Sequence, residues 1–406
     1  MPSPPLAGRR IIELGTMVAA PFAAHILAQL GADVIKVEPP NGDPTRSLVR
    51  GGPSGTFIAY SHGKRSVCMD LSKPESHIAF CKLLKTADAL VHNLSPKAAR
   101  KLKLTRADCA AISPKLIYCH IRGYGPGPQE EDLASNPVAE ASTGVMESNR
   151  INGRPSRLGP SYHDQFAGAY AVIGILSSML QAHDRQAPRP VEVGLYETGL
   201  HLAARDLVGV QLKTQLLGKP EREPHGEFSM PGYGAYETSD GHWVYLLMLT
   251  DAHWLKFCQA MDLPNDASLA TLRQRKKARE QVEARVKQAV AAHPFDAVVA
   301  RLKSAGVGFT EVLPLERVLE TPQARQPGTL RNVRLRGYEF EVPEFPRSRG
   351  DEDLATQPPP ELGEHTASVL RSVGVDQAEY QSLRSARAIE EISANSFHWA
   401  PLRREG

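Results

Sequence analysis

Asp164, in the stretch YHDQFAGAYAVIGIL, stands where a helix-like pattern opens, a position from which a carboxylate could do covalent chemistry. A carboxylate at a helix N-terminus faces free backbone N–H groups and the positive end of the helix dipole, which hold it ionised and oriented as a nucleophile would need to be. Aspartate is also a common helix cap, and the residues alone leave both readings open. His163 stands beside it, but neighbours on a helix or its cap point in different directions, so the pair does not read as nucleophile and base. Among the cations, Lys64, Arg65, Arg100 and Lys101 read as solvated basic surface. Arg122, just past an apolar strand, is better placed to meet an anion.

Other chemistries lack their residues. The first predicted strand, RIIEL, is followed by GTMVAAP with Gly15 alone, not the G-x-G-x-x-G of a dinucleotide site. Gly63-Lys64 has Ile58 where a P-loop needs glycine and Arg65 where it needs Ser or Thr, and G-x-S-x-G and H-E-x-x-H are both missing. The five cysteines (Cys68, Cys81, Cys109, Cys119, Cys258) form no C-x-x-C pair, so no metal site or disulfide framework is expected, and a reducing compartment fits. With 48 basic against 45 acidic residues the formal charge is +3, too balanced for a dedicated nucleic-acid binder. The apolar run from Ala167 to Leu180 falls short of a bilayer span, and the start of the chain is unlike a signal peptide. The expectation is a cytoplasmic protein with neither a membrane nor a nucleic-acid partner.

These residues must be positioned by alternating elements. Arg10–Leu14 reads as a strand, Pro21–Leu30 as a helix with proline in its first turn, and Val34–Val37 as the next strand. The pattern continues with a helix at Pro74–Lys85, a strand at Ala89–Val91, a helix near Arg106–Ala111 and a strand at Leu116–Cys119, which predicts an α/β fold with a mostly parallel sheet. Phe166, Tyr170, Ile173 and Leu176 or Leu180 recur at helical spacing, predicting a long buried helix over Asp164–His183, and Pro190–Leu195 reads as a strand. Gly218–Pro231 reads as a linker, and Gly234–Leu247 as a hairpin turned at Ser239-Asp240-Gly241. Helices follow near Ala252–Met261 and Arg275–Ala292, and another over Gly363–Leu383. With 406 residues, this predicts a discontinuous large domain at 1–217 and 330–406, and a linker with a smaller α+β domain at 218–329.

The opening LAGRRIIELGTMVAAPFAAHILAQLGADVIKVEPPNGDPTR resembles the N-terminus of class III CoA-transferases, and the likeness continues through SHGKRSVCMDLSKPES, ADALVHNLSPKAARKL, SPKLIYCHIRGYGPGP and VEVGLYETGLH to PPPELGEHTASVLRSVG. The 232–241 stretch looks closest to the branch acting on dicarboxylate or methyl-branched dicarboxylate thioesters such as mesaconyl-CoA. The resemblance implies a Rossmann-like large domain, a smaller domain carrying a lid, and an interlocked ring dimer. It makes Asp164 the catalytic residue, attacking an acyl-CoA thioester and passing through an aspartyl-CoA thioester, with coenzyme A thioesters as substrates and no permanently bound cofactor.

By the same resemblance, coenzyme A meets Thr16, Met17, Val18 and Ala19 near its thiol end, Met69 at the adenine, and Asn93, Leu94, Arg100, Lys101 and Arg122 elsewhere. Asn136 and the lid residues Gly232, Tyr233 and Gly234, within Gly226–Gly234, face the acyl group and acceptor, with His225 a further candidate. Glu140 and Glu197 sit in matching motifs, Glu197 as a brace of a strand-to-helix junction. Pro39 stands where many relatives have a phosphate-binding arginine. The racemases of this fold carry a His-Asp pair where this chain has Ser135 and Asn136, neither of which is a base near neutral pH. An acyl-CoA racemase or isomerase is therefore the weaker alternative. The other is a non-catalytic subunit of a two-chain transferase; retention of Asp164 favours an active chain, as a homodimer or with a paralogous partner.

Overall fold

The computed structural model describes residues 3–49, 52–181, 188–219, 230–346 and 357–390. The chain divides into two compact units, residues 1–204 with 327–406, and residues 205–326.

A seven-stranded sheet organises the first unit. Its strands are β1 (Arg10–Leu14), β2 (Asp33–Glu38), β3 (Arg65–Met69), β4 (Ala89–His92), β5 (Ile117–Arg122), β6 (Val191–Gly194) and β7 (Ile389–Glu390). Their order is β7-β3-β2-β1-β4-β5-β6, parallel throughout except for the antiparallel edge strand β7. A parallel sheet must be covered on both faces, and the apolar runs allow it: Ile11 enters one core cluster while Ile12 and Leu14 enter the other. The strand order reverses between β1 and β4, so the connections leaving these neighbours diverge and open a crevice at their carboxyl ends.

Four helices bear on that crevice: α1 (Ala19–Gln29), α2 (Asn136–Ser142), α3 (Tyr162–Gln181) and α4 (Leu195–Leu202). In α3 the buried face is not the expected one. Phe166, Ile173 and Leu180 are 42%, 59% and 77% exposed, and the buried residues are His163, Ala167, Gly168, Ala171, Val172, Ile175 and Ser178. The reason is proximity to α1: a Cβ at Gly168 would lie 2.7 Å from the Ala19 carbonyl oxygen and 3.0 Å from Phe22. Only a face of small residues permits such an approach, so the large ones are turned outward.

Other expectations are corrected by turns inside a helical pattern. The expected 363–383 helix is two, Thr366–Ser372 and Gln377–Ser385, separated by Gly374 at φ +81°. The expected 275–292 helix is likewise split into Leu272–Lys277 and Arg279–Ala291. A helix over Ala204–Leu217 was not anticipated, and none of its residues is buried.

In the second unit, strands Gly234–Glu237, Trp243–Leu247 and Gly308–Glu311 form an antiparallel sheet, with the first two joined as the expected hairpin through Gly241 at φ +81°. Its core includes Val244, Leu246, Trp254, Phe257, Val286 and Leu302. Among the described residues, no helix is long and apolar enough to cross a membrane.

Candidate active site

The crevice is a cleft of about 380 Å³ in the first unit. Nine residues singled out in the sequence line it: Met17, Val18 and Ala19 after β1, Asn93 and Leu94 after β4, Arg122 at the end of β5, Ser135 and Asn136 at the start of α2, and Asp164 in α3. Thr16 lies behind them, its backbone paired with the Asn93 side chain: Thr16 N donates to Asn93 Oδ1 (3.0 Å) and Asn93 Nδ2 to the Thr16 carbonyl (2.9 Å). This pair spans the crevice at the point where the strand order reverses.

Asp164 is the third residue of its helix rather than its cap. The cap comes from another helix. Asn136 Oδ1 accepts the backbone N–H groups of His163 (2.9 Å) and Asp164 (3.3 Å), which a helix end cannot satisfy itself. The Asn136 amide donates in turn to Glu140, whose second oxygen accepts Leu158 N–H at 3.1 Å. Asp164 thus lines the cleft with its backbone fixed by Asn136. Burial raises its carboxyl from the ordinary 3.8 to about 6, against the opposing pull of the Arg157 charge.

His163 points elsewhere. It is buried against Gly199, where a Cβ would meet its Nε2 at 2.6 Å, and that nitrogen lies 3.4 Å from Thr143 Oγ1. Burial lowers its pKa, so it is a neutral packing residue rather than a base for Asp164.

The β1–α1 connection is held from beneath. Glu13 takes Lys36 Nζ at 2.7 Å and Lys64 Nζ at 2.6 Å. Lys36 also donates to the Gly15 carbonyl (2.8 Å) and to Asp43 (2.9 Å), and Lys64 to the Pro21 carbonyl (2.9 Å). Asp43 accepts the backbone N–H of Met17 at 3.4 Å. Both ends of the segment 15–21 are therefore clamped by fully buried ammonium groups, and Met17 sits between them in the left-handed region at φ +65°. Burial works against the Lys36 charge, but Glu13, Asp43 and Glu38 outweigh it and hold the group above its usual range. Burial wins at Lys64, bringing it down to about 8. Lys64 is thus no surface cation, and Arg65 is spent on Asp33 at 2.8 Å. Sequence reasoning missed this cluster because isolated charges next to apolar strands read as surface until the three-dimensional pairing is known.

Other expected contacts are not among the residues that line this cleft. Met69 is buried in the core with Phe80 and Ile389. Arg100 is exposed and forked onto Glu131 at 2.8 and 2.7 Å, and Lys101 is exposed at the end of the same helix. Gly232, Tyr233 and Gly234 belong to the second unit. There Gly232, at φ +83°, donates its N–H to Glu283 at 3.0 Å, Tyr233 packs edge-on against Tyr245, and Gly234 starts a strand. His225, residues 226–229 of the lid and most of the linker lie outside the described residues. Glu197 braces its junction as expected, accepting Gly125 N–H at 3.0 Å on both oxygens. Among the described residues, no group of three or more His, Cys, Asp or Glu side chains is arranged to hold a metal ion.

Comparison with known proteins adds to this geometry. The family model for CoA-transferase family III matches residues 6–366. The chain is 30% identical over 272 residues to the succinyl-CoA:mesaconate CoA-transferase of Haloarcula hispanica, covering 64% of this chain and 68% of that one. It is 28% identical over 400 residues to the succinyl-CoA–L-malate CoA-transferase alpha subunit of Chloroflexus aurantiacus, covering 95% and 92%. In structure it is similar to a CAIB/BAIF family protein from Brucella suis, with a TM-score of 0.80 and 26% identity, covering 91% of this chain and 99% of that one.

Proposed function

The chain belongs to CoA-transferase family III, and from that premise we propose that it moves coenzyme A between dicarboxylic acids, with Asp164 as the nucleophile. The observation that carries this reading is a carboxylate of raised pKa in a cleft at the strand-order reversal, its backbone fixed by Asn136. The dicarboxylate class is supported by the relatives named for succinyl-CoA as donor.

In the proposed reaction the Asp164 carboxylate attacks the donor thioester, expels coenzyme A thiolate and forms a mixed anhydride. The thiolate then attacks the aspartyl carbonyl, releasing the first acid and leaving an aspartyl-CoA thioester. The acceptor carboxylate reverses both steps, returning Asp164 as a free carboxylate. Each step develops an oxyanion, for which the first turn of α1 offers N–H groups that no side chain caps. Thr16, Met17, Val18, Ala19, Asn93 and Leu94 would flank the thiol end of coenzyme A. Gly232, Tyr233 and Gly234 would belong to the lid. Raising the Asp164 pKa costs little ionisation at neutral pH and makes the carboxylate a better nucleophile than an ordinary aspartate.

Assembly as an interlocked dimer in the cytoplasm belongs to the same proposal. The outward stripe Phe166, Ile173, Leu180 and the unburied helix Ala204–Leu217, with Val208, Leu212 and Leu216 exposed, are apolar surfaces of the kind a second chain covers. A paralogous partner fits them as well, since one relative is a named subunit.

The direct test is mass spectrometry of the purified chain after incubation with succinyl-CoA or mesaconyl-CoA and hydroxylamine quenching. A donor-dependent change on the Asp164 peptide, lost in Asp164→Ala, is expected. An unmodified peptide in a folded chain that binds coenzyme A would refute single-chain transfer.

A further inference from the structure

Arg122 is a largely buried cation whose hydrogen bonding is incomplete. Its side chain is 9% exposed and lines the same cleft as Asp164. Its Nε and Nη2 make no hydrogen bond among the described residues. Two carboxylates form ion pairs with it outside hydrogen-bonding geometry: Glu130 Oε1 is 3.2 Å from Nη2, and Glu192 Oε2 is 3.7 Å from Nη1. A guanidinium offers a fork of N–H donors, and leaving buried ones unmade is costly unless a ligand supplies the acceptors. Arg100, by contrast, is fully engaged by Glu131 at the surface.

We propose that Arg122 binds the far carboxylate of a dicarboxylic acyl group, and that Glu130 is the carboxylate this group displaces. This rests on the dicarboxylate transfer reading above and names the residue that would select for it. Three observations carry it. Arg122 and Asp164 line the same cleft, so a donor bound there meets both a nucleophilic carboxylate and a cation. The guanidinium fork matches a planar carboxylate in two parallel bonds. Glu130 is 42% exposed and outside hydrogen-bonding geometry, so moving it into water loses little, whereas the incoming carboxylate makes the bonds that Glu130 does not. The exchange also leaves the charge around Arg122 unchanged, although Glu130, Asp132 and Asp164 already make the cleft acidic.

The alternative source of an anion is a phosphate of coenzyme A itself, and the test separates the two. Full-length chain is assayed with succinyl-CoA and with butyryl-CoA, which has the same chain length without the far carboxylate, and the Kd of free coenzyme A is measured by calorimetry. Arg122→Gln is expected to lower kcat/KM for succinyl-CoA about 10- to 100-fold more than for butyryl-CoA, the range of one charge-assisted interaction, with coenzyme A affinity held within about threefold. Glu130→Gln is expected to raise the succinyl-to-butyryl ratio by about threefold or more. Equal losses for both donors together with weakened coenzyme A binding would assign Arg122 to the phosphates and overturn the proposal. Glu130 is only half-buried, so its variant decides the matter even where Arg122→Gln does not fold: an unchanged ratio sinks the assignment. Wild-type chain inactive with succinyl-CoA would instead refute the dicarboxylate reading, and would do so before any variant is made.

Discussion

Asn136 Oδ1 accepts the backbone N–H groups of both His163 and Asp164, at 2.9 and 3.3 Å, so the cap of the helix that carries the candidate nucleophile is supplied from outside that helix. A neutral amide thus orients the backbone of Asp164 without adding charge beside it. Its other half is engaged by Glu140, which also holds Leu158. One side chain therefore couples the approach to the helix with its first turn.

Asn136→Ala removes this cap and is expected to cost about 1 to 2 kcal/mol of stability, with a fall in kcat larger than the change in KM. Asn136→Asp tests electrostatics instead. It sets a second negative charge beside Asp164 and opposite Glu140, so the acid limb of the pH–rate profile should move above its wild-type position. A profile that stays in place would show that residue 136 acts on Asp164 only through geometry.

Asp164 itself sets that acid limb. With its carboxyl raised to about 6, kcat/KM should climb with pH through about 6 and level off above 7, because only the ionised form attacks. The same shift has a stability counterpart of definite sign. A raised pKa means the folded state holds the proton more tightly than the unfolded one, so ionising Asp164 costs stability in full above about 6, and the cost vanishes below the unfolded value near 3.8. Asp164→Asn should therefore be inactive yet more stable than wild type by about 1 to 3 kcal/mol at pH 7.5, with the gap closing toward pH 4. Denaturant titrations at the two pH values measure it.

Five of the seven strands were legible in the sequence because buried parallel strands are apolar runs: RIIEL becomes β1 at its expected limits, and β2 and β4 run slightly beyond theirs. Strand β5 starts one residue later and ends three later, and β6 is shorter by one residue at each end, whereas β3 and the short edge strand β7 were not expected. Asp164 was visible by type and position, but its choice between cap and nucleophile came from resemblance. The face of α3 was misread because hydrophobic periodicity marks a stripe without saying what covers it, and Gly168 and Ala167 outweigh Phe166 and Ile173 once α1 lies within contact. Lys64 was misread for the opposite reason. A buried lysine is stable only through partners distant in sequence, and Glu13 is 51 residues away.

That contact between α1 and α3 makes Gly168 a sensitive position. Gly168→Ala sets a methyl 2.7 Å from the Ala19 carbonyl oxygen, a backbone atom that cannot step aside alone. The helices must separate, at a cost of about 1 to 3 kcal/mol, and Asp164 moves relative to Val18 and Ala19. Activity should fall by about tenfold or more even where the variant stays folded. Wild-type kinetics in a folded Gly168→Ala chain would show that the spacing of α1 and α3 does not set the site.

The buried Glu13, Lys36, Asp43 and Lys64 group balances two negative charges against two positive ones, so removing one member leaves a buried charge uncompensated. Lys36→Met should destabilise by about 3 to 5 kcal/mol, and it frees the Gly15 carbonyl and Asp43 at once. Glu13→Gln keeps the shape and removes only the charge, leaving Lys36 and Lys64 to repel one another. Its loss should likewise be several kcal/mol, and the double variant Glu13→Gln with Lys64→Met should recover part of it, since one surplus positive charge goes with the lysine. Additive losses in that cycle, read by urea denaturation, would show that the lysines are held independently rather than through the shared carboxylate.

Acid sensitivity follows from a different set of buried groups. His92 and His120 stack with ring centres 4.2 Å apart, and His25 and His62 meet at 4.5 Å, all four being buried. Burial lowers each below 6.5: His62 to about 4, His25 and His92 well below, and His120 despite its contact with the Leu94 carbonyl. A base with a lowered folded pKa stays neutral in the fold while the unfolded chain takes up the proton, so the stability present above 6.5 is lost progressively as pH falls toward the folded values. Urea midpoints should be steady from pH 7 to 8 and drop steeply between pH 6.5 and 4. His92→Phe replaces a ring whose two nitrogens find no partner among the described residues, so this variant should lose less stability over that interval than wild type. Equal slopes for the two chains would place the acid-sensitive charge elsewhere in the fold.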